Sequence, residues 1–294
     1  MKDRHFYRTF FSMYFVLVFQ NVISLSVNLA DNIMLGAYSE VSLSGVAAVN
    51  QIQFIYQQLL TAAGDGMVIF CSQYWGKKQL EPVKKIAATA MHTGLVFAAA
   101  LFLAVSLFPE QAVVLFTTDQ AIIAEGVKYL SLIRFTYLFF AVTTILLATL
   151  RSVEIVKIAF YLSVSTLVIN CCINYVLIYG KFGAPRLGVT GAAVGTLVAR
   201  IVECGAALWY VLRKEPNLKM RISDYFRTDR LLRRDYFKTT VPMLIVQALW
   251  ALNTATQTLI LGHMTARAIA ANSAASNLFL MVKSMAVGAS SAAS

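Results

Sequence analysis

Long apolar stretches alternate with short polar connections along most of the 294-residue chain. A helix needs about 20 apolar residues to cross a membrane, and windows of that length can be marked along the sequence. The eight windows are residues 10–36, 43–70, 86–108, 127–150, 157–180, 188–212, 239–262 and 266–290. This pattern predicts an all-α fold, a polytopic membrane helix bundle.

Polar side chains recur in several of these windows at intervals of three, four or seven residues, which place each set on one helix face. The stripes are Asn21, Ser24, Asn28 and Asp31 in the first window; Gln51, Gln58, Thr61 and Asp65 in the second; Ser163, Thr166, Asn170 and Asn174 in the fifth; and Gln247, Thr254 and Gln257 in the seventh. Such stripes either line a wet cavity or hydrogen-bond adjacent helices, a contact worth about 0.6 kcal/mol. We favour the cavity, because several stripes occur together with a membrane-embedded acid.

Asp31 is the strongest single signal, since an aspartate at the centre of a span costs about 2.5–3.5 kcal/mol and less near its end. Two chemistries justify the residue: it carries a proton, or it binds a hard cation such as sodium together with amide and hydroxyl oxygens. Asn170, Asn174 and Thr196 supply such oxygens. The simpler alternative is an N-cap or an acid facing lipid headgroups. Asp65 is interpreted as a second relay acid or a vestibule residue.

Composition and charge agree with a membrane protein, because 59% of the residues are hydrophobic and only 13% are charged. The formal net charge is +11, and the basic residues concentrate on alternate connections, above all in 213–238. This distribution predicts a multi-pass protein of the cytoplasmic (inner) membrane with its N-terminus in the cytoplasm. The chain has no zinc-ligand spacing, nucleophile motif or phosphate-binding loop, which favours a carrier without a cofactor over an enzyme.

Residues 213–238 interrupt the apolar pattern with a polar, basic segment. Within it, TDRLLRRDYF predicts a short amphipathic helix capped by Thr228 at the cytoplasmic interface, and Pro242 is then expected to begin the seventh span. The segment divides the chain into three parts. They are a six-helix N-terminal membrane lobe (1–212), a cytoplasmic basic linker (213–238) and the first two helices of an incomplete C-terminal lobe (239–294).

The seventh window repeats the polar stripe of the first when the chain is shifted by 226 residues. The shift places Asn21 on Gln247, Ser24 on Trp250, Asn28 on Thr254 and Asp31 on Gln257. A second copy of the first unit would need about four further spans, so we expect the chain to be a fragment.

Two further sets of charges have structural interpretations. Arg200 and Glu203 lie three residues apart, which favours an intrahelical ion pair. Lys283 either extends to the membrane surface or faces the cavity.

Several of these motifs resemble the multidrug and toxic compound extrusion (MATE) family. They are LADNIMLG with GVAAVNQI, then SQYWGKK, then NCCINYVLIYGKFGAPRLGVTGAAVGTLVARIVE, while VPMLIVQALWAL resembles the start of the family's second lobe. The resemblance covers the first eight of the family's twelve helices. It implies a two-lobed antiporter that exports organic, often cationic, compounds as protons or sodium ions enter.

The resemblance also implies an ion site in the first lobe. Asp31, Asn170 and Thr196 match the family's residues, and Asn174 stands where many members have an aspartate. One branch of the family carries a glutamate where this chain has Gln247 or, in another register, Trp250. Neither is acidic, so Asp31 is the main candidate for ion coupling.

Together these inferences predict alternating access by a monomer. The expected substrate cavity comprises Asn21, Asn28, Gln51, Gln58, Gln247, Trp250, Thr254 and Gln257. Two alternatives stay open: a lipid-linked glycan flippase of related fold, and a membrane scaffold that transports nothing.

Overall fold

The structure is a computed structural model that describes residues 4–215, 218, 220–262, 283 and 286. All regular elements assigned in these residues are helices. In chain order they are α1 (Arg4–Tyr38), α2 (Glu40–Gly76), α3 (Leu80–Leu107), α4 (Pro109–Val114), α5 (Gln120–Ile133), α6 (Thr136–Ser152), α7 (Lys157–Tyr179), α8 (Val189–Trp209), a π-helical turn (Tyr210–Lys214), a 3-10 turn (Ile222–Phe226) and α9 (Arg230–Gly262). The predicted all-α bundle is thereby confirmed.

Membrane-length apolar helices are present in the described part of the chain, although fewer than the eight windows. Four helices are long and apolar enough to cross a membrane, or five if the bent pair α5–α6 counts as one span. The four are Met13–Tyr38, Leu80–Leu107, Lys157–Tyr179 and Val189–Lys214. Helices α2 and α9 have the length but carry glutamines that lower their hydropathy. The window 266–290 lies outside the described residues except for positions 283 and 286.

The window 127–150 is not one straight helix, because α5 and α6 are bent by 55° at their junction. The backbone N–H of Phe135 donates to the carbonyl of Leu132 at 3.2 Å, a tightened 3-10 bond. The Thr136 hydroxyl also donates to the carbonyl of Ile133 at 2.6 Å. A side chain that inserts into the helical ladder is a known cause of such a kink.

Two glycines shape the connection between α7 and α8. Gly180 ends α7 with a φ of 67°, a left-handed conformation that favours glycine. Gly188 precedes α8 with a φ of 56°, and a Cβ there would lie 2.7 Å from the Tyr38 ring at the end of α1. The absence of a side chain at Gly188 therefore lets the end of α1 approach the start of α8 closely.

The core consists of two clusters of buried apolar side chains. One joins α2, α3 and α6, and it includes Leu218, Met220 and Tyr236 from the segment 213–238. The other joins α1, α2, α3, α5, α6, α7 and α8, and it uses the opposite halves of α2, α3 and α6. The basic segment therefore packs onto the helices through its apolar side chains, a contact that the high charge of its sequence did not indicate.

The start of α9 differs from the prediction. Asp229, not Thr228, accepts hydrogen bonds from the backbone N–H groups of Leu231 and Leu232, at 2.9 and 3.4 Å. These bonds hold the pKa of Asp229 below its usual value. The helix then continues past Pro242 to Gly262, so Pro242 lies inside α9 and does not begin a span. Its missing N–H is accommodated within a long helix that neighbouring helices support.

Candidate functional site: a polar cluster between three helices

Four predicted ion-coupling residues come together where α1, α7 and α8 pack against one another. Asp31 is supplied by α1, Asn170 and Asn174 by α7, and Thr196 by α8. All four side chains are buried, with exposed fractions of 8%, 1%, 0% and 8% respectively. The arrangement agrees with the helical spacing of Asn170 and Asn174, which places both amides on one face.

Hydrogen bonds connect the four side chains into one network. The Asn174 Nδ2 donates to Asp31 Oδ1 at 2.6 Å and to Asn170 Oδ1 at 3.2 Å. The Asn170 Nδ2 donates to Thr196 Oγ1 at 3.1 Å. The carboxylate thus receives a short, charge-assisted hydrogen bond from a side chain that α7 holds in place.

Close packing of α8 on α7 brings Thr196 to this cluster. A Cβ at Gly191 would lie 2.8 Å from the backbone carbon of Leu177, and a Cβ at Gly195 would lie 2.0 Å from Asn174 Oδ1. Small residues four apart allow two membrane helices to approach in this way. The glycines of GVTGAAVGT therefore serve the geometry of the site as well as helix packing.

A small cavity adjoins the cluster. Its volume is about 20 Å³, which is room for about one water molecule. Asp31, Asn28, Asn170 and Thr196 line it. The lining that sequence analysis missed comes from three helices and comprises Asn50, Gln53, Tyr129 and Arg200. Asn50 and Gln53 lie three residues apart on α2. Gln51, between them, belongs to the predicted stripe, and the sequence alone does not distinguish these three amides.

The chemistry available here is that of oxygen donors around one carboxylate. Asn174 Oδ1 is buried and has no hydrogen-bond partner among the described residues. A hard cation prefers carboxylate, amide and hydroxyl oxygens, and this cluster presents all three types. No group of three or more His, Cys, Asp or Glu side chains suited to a metal ion occurs in the described ranges.

The other predicted polar residues form a separate contact between α2 and α9. The Gln58 Nε2 donates to Gln247 Oε1 at 3.4 Å, and the rings of Phe54 and Trp250 are 5.4 Å apart. The Lys283 Nζ lies 3.2 Å from the centroid of the Trp250 ring. Gln58, Gln247 and Trp250 therefore belong to one contact between α2 and α9, and this contact is separate from the Asp31 cluster.

Of the residues expected to form the substrate cavity, only Asn28 lines the small cavity beside Asp31. Four others lie neither there nor in the α2–α9 contact. Asn21, Gln51 and Thr254 are partly exposed, and Gln257 is exposed. The Thr254 hydroxyl donates to the Trp250 carbonyl in its own helix, at 3.0 Å.

The remaining charges form pairs. Asp65 on α2 pairs with Arg151 at the end of α6, and both are partly exposed. Arg200 and Glu203 form the expected intrahelical pair, with Nη1 and Oε2 separated by 2.7 Å. Arg200 also lies 4.8 Å from the centroid of the Phe140 ring. Sequence spacing predicted the partner of Arg200, but it gave no indication that Asp65 pairs with Arg151.

A family model for MatE matches residues 17–176, which is more than half of the chain and includes Asp31, Asn170 and Asn174. The chain belongs to the MatE family. The resemblance in its motifs to multidrug and toxic compound extrusion proteins is thereby confirmed.

Curated relatives of this MatE chain are bacterial proteins with the names of transporters. A probable multidrug resistance protein NorM of Thermotoga maritima is 28% identical over 203 residues, which cover 69% of this chain and 43% of the relative. The probable multidrug resistance protein YoeA of Bacillus subtilis is 26% identical over 264 residues, covering 87% and 56%. The chain thus spans about half the length of the curated relatives it matches.

Solved MATE structures share the fold. A crystal structure of MATE in the bent conformation matches with a TM-score of 0.86 at 14% identity, covering 98% of this chain and 63% of the other. A multidrug resistance MATE family transporter of the MOP superfamily, in an outward-facing conformation, matches with a TM-score of 0.84 at 15% identity, covering 97% and 62%. At these identities the likeness concerns the fold alone.

Proposed function

We propose that the chain is part of a secondary active antiporter that exports small organic, often cationic, compounds across the cytoplasmic membrane in exchange for H⁺ or Na⁺. The observation that carries the proposal is the buried Asp31 carboxylate, hydrogen-bonded to Asn174 beside a water-sized polar cavity. An intramembrane acid in a polar cavity is typical of ion-coupled transport. Membership of the MatE family supports a transporter, not an enzyme.

The coupling step takes place at Asp31. A proton on the carboxylate, or a sodium ion beside it, neutralises the negative charge to which Asn174 Nδ2 donates its hydrogen bond. The charge-assisted hydrogen bond from Asn174 Nδ2 to the carboxylate is thereby weakened. The altered bond changes how α1 packs on α7, and a small change of this kind shifts a two-state equilibrium if the two states differ in their affinity for the ion.

The lobes move relative to each other in this proposal, with residues 1–212 as the first lobe, 213–238 as the linker and 239–294 as the first two helices of the second. The contact of α2 with α9 supports a closed cytoplasmic side: the Tyr236 hydroxyl donates to the Ala63 carbonyl at 3.0 Å, and Gln58 meets Gln247. Substrate then binds polar and aromatic side chains on the outer part of the cleft. The N-terminus is cytoplasmic, the transporter is a monomer, and no cofactor takes part.

Replacement of Asp31 with asparagine tests the coupling. The amide keeps the shape of the carboxyl and an oxygen for Asn174 Nδ2, but it can neither carry a proton nor attract a cation as a carboxylate does. In everted membrane vesicles, accumulation of a fluorescent organic cation driven by a proton or a sodium gradient should fall to the level of vesicles without the protein. The two gradients are imposed separately, so that the response also identifies the ion.

Asp119→Asn is the matched control. Asp119 caps α5 through the backbone N–H of Ala121 at 2.8 Å, and asparagine caps a helix equally well. This variant should transport like the parent. Undiminished gradient-driven transport by correctly inserted Asp31→Asn would overturn the assignment of Asp31. Asp65→Asn separates the two interpretations of Asp65, because loss of its pair with Arg151 should leave transport intact unless Asp65 relays protons.

A further inference from the structure

Five basic side chains form an exposed surface at the start of α9. We call Arg227, Arg230, Arg233, Arg234 and Lys238 the basic surface; all five are exposed. The last four members stand at intervals of three, one and four residues on one helix. Such spacing spreads them over one side of the first turns.

Two nearby acids pair with lysines of α3, while Asp235, three residues before Lys238, has no ion pair in the described ranges. Asp224 pairs with Lys84 of α3 at 3.5 Å, and Asp229 pairs with Lys85 at 3.7 Å while it also caps α9. Within the described ranges, no member of the basic surface has a carboxylate at ion-pair distance. The surface therefore retains its positive charge, whereas the two lysines of α3 attach the segment to the helix bundle.

The position of these charges conflicts with the preference of the helix. The N-terminus of a helix carries partial positive charge, which favours acids and disfavours cations in the first turn. Apart from the capping Asp229, the start of α9 has no acid, and its first turn contains Arg230 and Arg233. A sequence that breaks a local rule in this way indicates a role outside the helix itself.

Exposed apolar side chains lie among the arginines. Phe226 is 76% exposed and Leu231 is 66% exposed. They lie near the membrane surface, because α9 continues directly into the predicted seventh span and the Val189–Lys214 span ends just before the segment. Apolar side chains beside cations are typical of segments that lie at the boundary between headgroups and acyl chains.

We propose that the basic surface is a binding site for anionic phospholipid headgroups of the cytoplasmic leaflet. The arginines bind the lipid phosphates, for which a planar guanidinium is well suited, and Phe226 and Leu231 enter the acyl boundary. Basic clusters directly beside a membrane span recognise anionic lipid in this manner. The site anchors the segment that connects the two predicted lobes.

A fluorescent reporter at position 226 tests the proposal. The full chain carrying Phe226→Trp is reconstituted into phosphatidylcholine vesicles that contain a small fraction of dibrominated phosphatidylglycerol or, in parallel, dibrominated phosphatidylcholine. Bromine quenches tryptophan only at contact, and the signal of the parent chain is subtracted to remove its three native tryptophans. We expect quenching at severalfold lower fractions of the anionic lipid than of the neutral lipid.

Paired charge removals locate the site. Arg233→Gln/Arg234→Gln should remove this severalfold preference for the anionic lipid, since each arginine near the membrane surface contributes roughly fivefold. Arg233→Lys/Arg234→Lys should retain most of it, since the charge is kept. The matched control is Lys181→Gln/Arg186→Gln, which removes two exposed charges at the opposite end of the bundle and should leave the preference unchanged.

Three results would overturn the proposal. The first is equal quenching by the two brominated lipids in the parent background. The second is an equal loss of preference in the Arg233/Arg234 and Lys181/Arg186 variants, which would reflect only net charge. The third is abolition of the preference by millimolar inorganic phosphate at constant ionic strength, which would identify a site for the free anion.

Discussion

Replacement of Gly195 with alanine should disrupt the Asp31 cluster from a helix that does not carry the carboxylate. Gly195 lies on α8, where a Cβ would be 2.0 Å from Asn174 Oδ1 and 3.0 Å from Asn174 Cγ. The Asn174 amide would have to move by about 1 Å or more to reach ordinary contact distance. It is not free to move, because its Nδ2 donates to Asp31 at 2.6 Å and to Asn170 at 3.2 Å.

The loss of folding free energy follows from these contacts. An extra methyl in a packed interior costs about 1–3 kcal/mol, and the loss of a hydrogen bond to a charged group costs about 1.5–3 kcal/mol. Alanine favours a helix over glycine by about 1 kcal/mol, which offsets part of the loss. The expected net destabilisation is therefore about 1.5–5 kcal/mol.

Gly205→Ala provides the comparison within the same helix. A Cβ at Gly205 meets nothing within 4 Å, so this substitution should be neutral or stabilising by up to about 1 kcal/mol. Free energies of unfolding are measured by titration of mixed micelles with dodecyl sulfate and followed by loss of helical circular dichroism. Equal stability of the Gly195→Ala and Gly205→Ala proteins would refute the tight α7–α8 packing that we describe.

Two further substitutions address other buried polar contacts by the same titration. Arg200→Met should destabilise by about 3–5 kcal/mol because the buried Glu203 loses its partner, whereas Arg200→Met/Glu203→Leu should recover most of the loss; a double variant no better than the single one would contradict this account. Tyr236→Phe should cost about 1–3 kcal/mol, since the fully buried hydroxyl donates to the Ala63 carbonyl at 3.0 Å, and Tyr161→Phe at an exposed position should cost nothing. Equal effects of the two tyrosine substitutions would count against the α2–α9 contact.

The residues of the candidate ion site could be predicted from the sequence because they obey local rules. An acid in an apolar stretch is expensive, and amides four residues apart share one helix face. Those rules identified Asp31, Asn170 and Asn174, which the structure connects by hydrogen bonds. Apolar length likewise predicted the helical bundle.

Other features depend on contacts between distant parts of the chain and left little local signal. Tyr129 lines the small cavity only because α5 packs beside α8, and nothing in the sequence distinguishes it from other interior tyrosines. The burial of Tyr236 was hidden by the charges around it, since hydropathy averages over a window while a helix can bury a single side chain. The bend between α5 and α6 lies where the Thr136 hydroxyl donates to the Ile133 carbonyl, a bond that depends on the threonine rotamer.

The close packing of α8 on α7 at the Asp31 cluster bears on the proposed mechanism. Gly195 places α8 directly against Asn174, so a change in the bond from Asn174 to Asp31 has little room on the α8 side. Helix α1 supplies only Asp31 to the cluster, whereas Asn170, Asn174 and Thr196 come from the closely packed pair α7–α8. In the proposed mechanism, neutralisation of Asp31 would therefore change the packing of α1 against this pair.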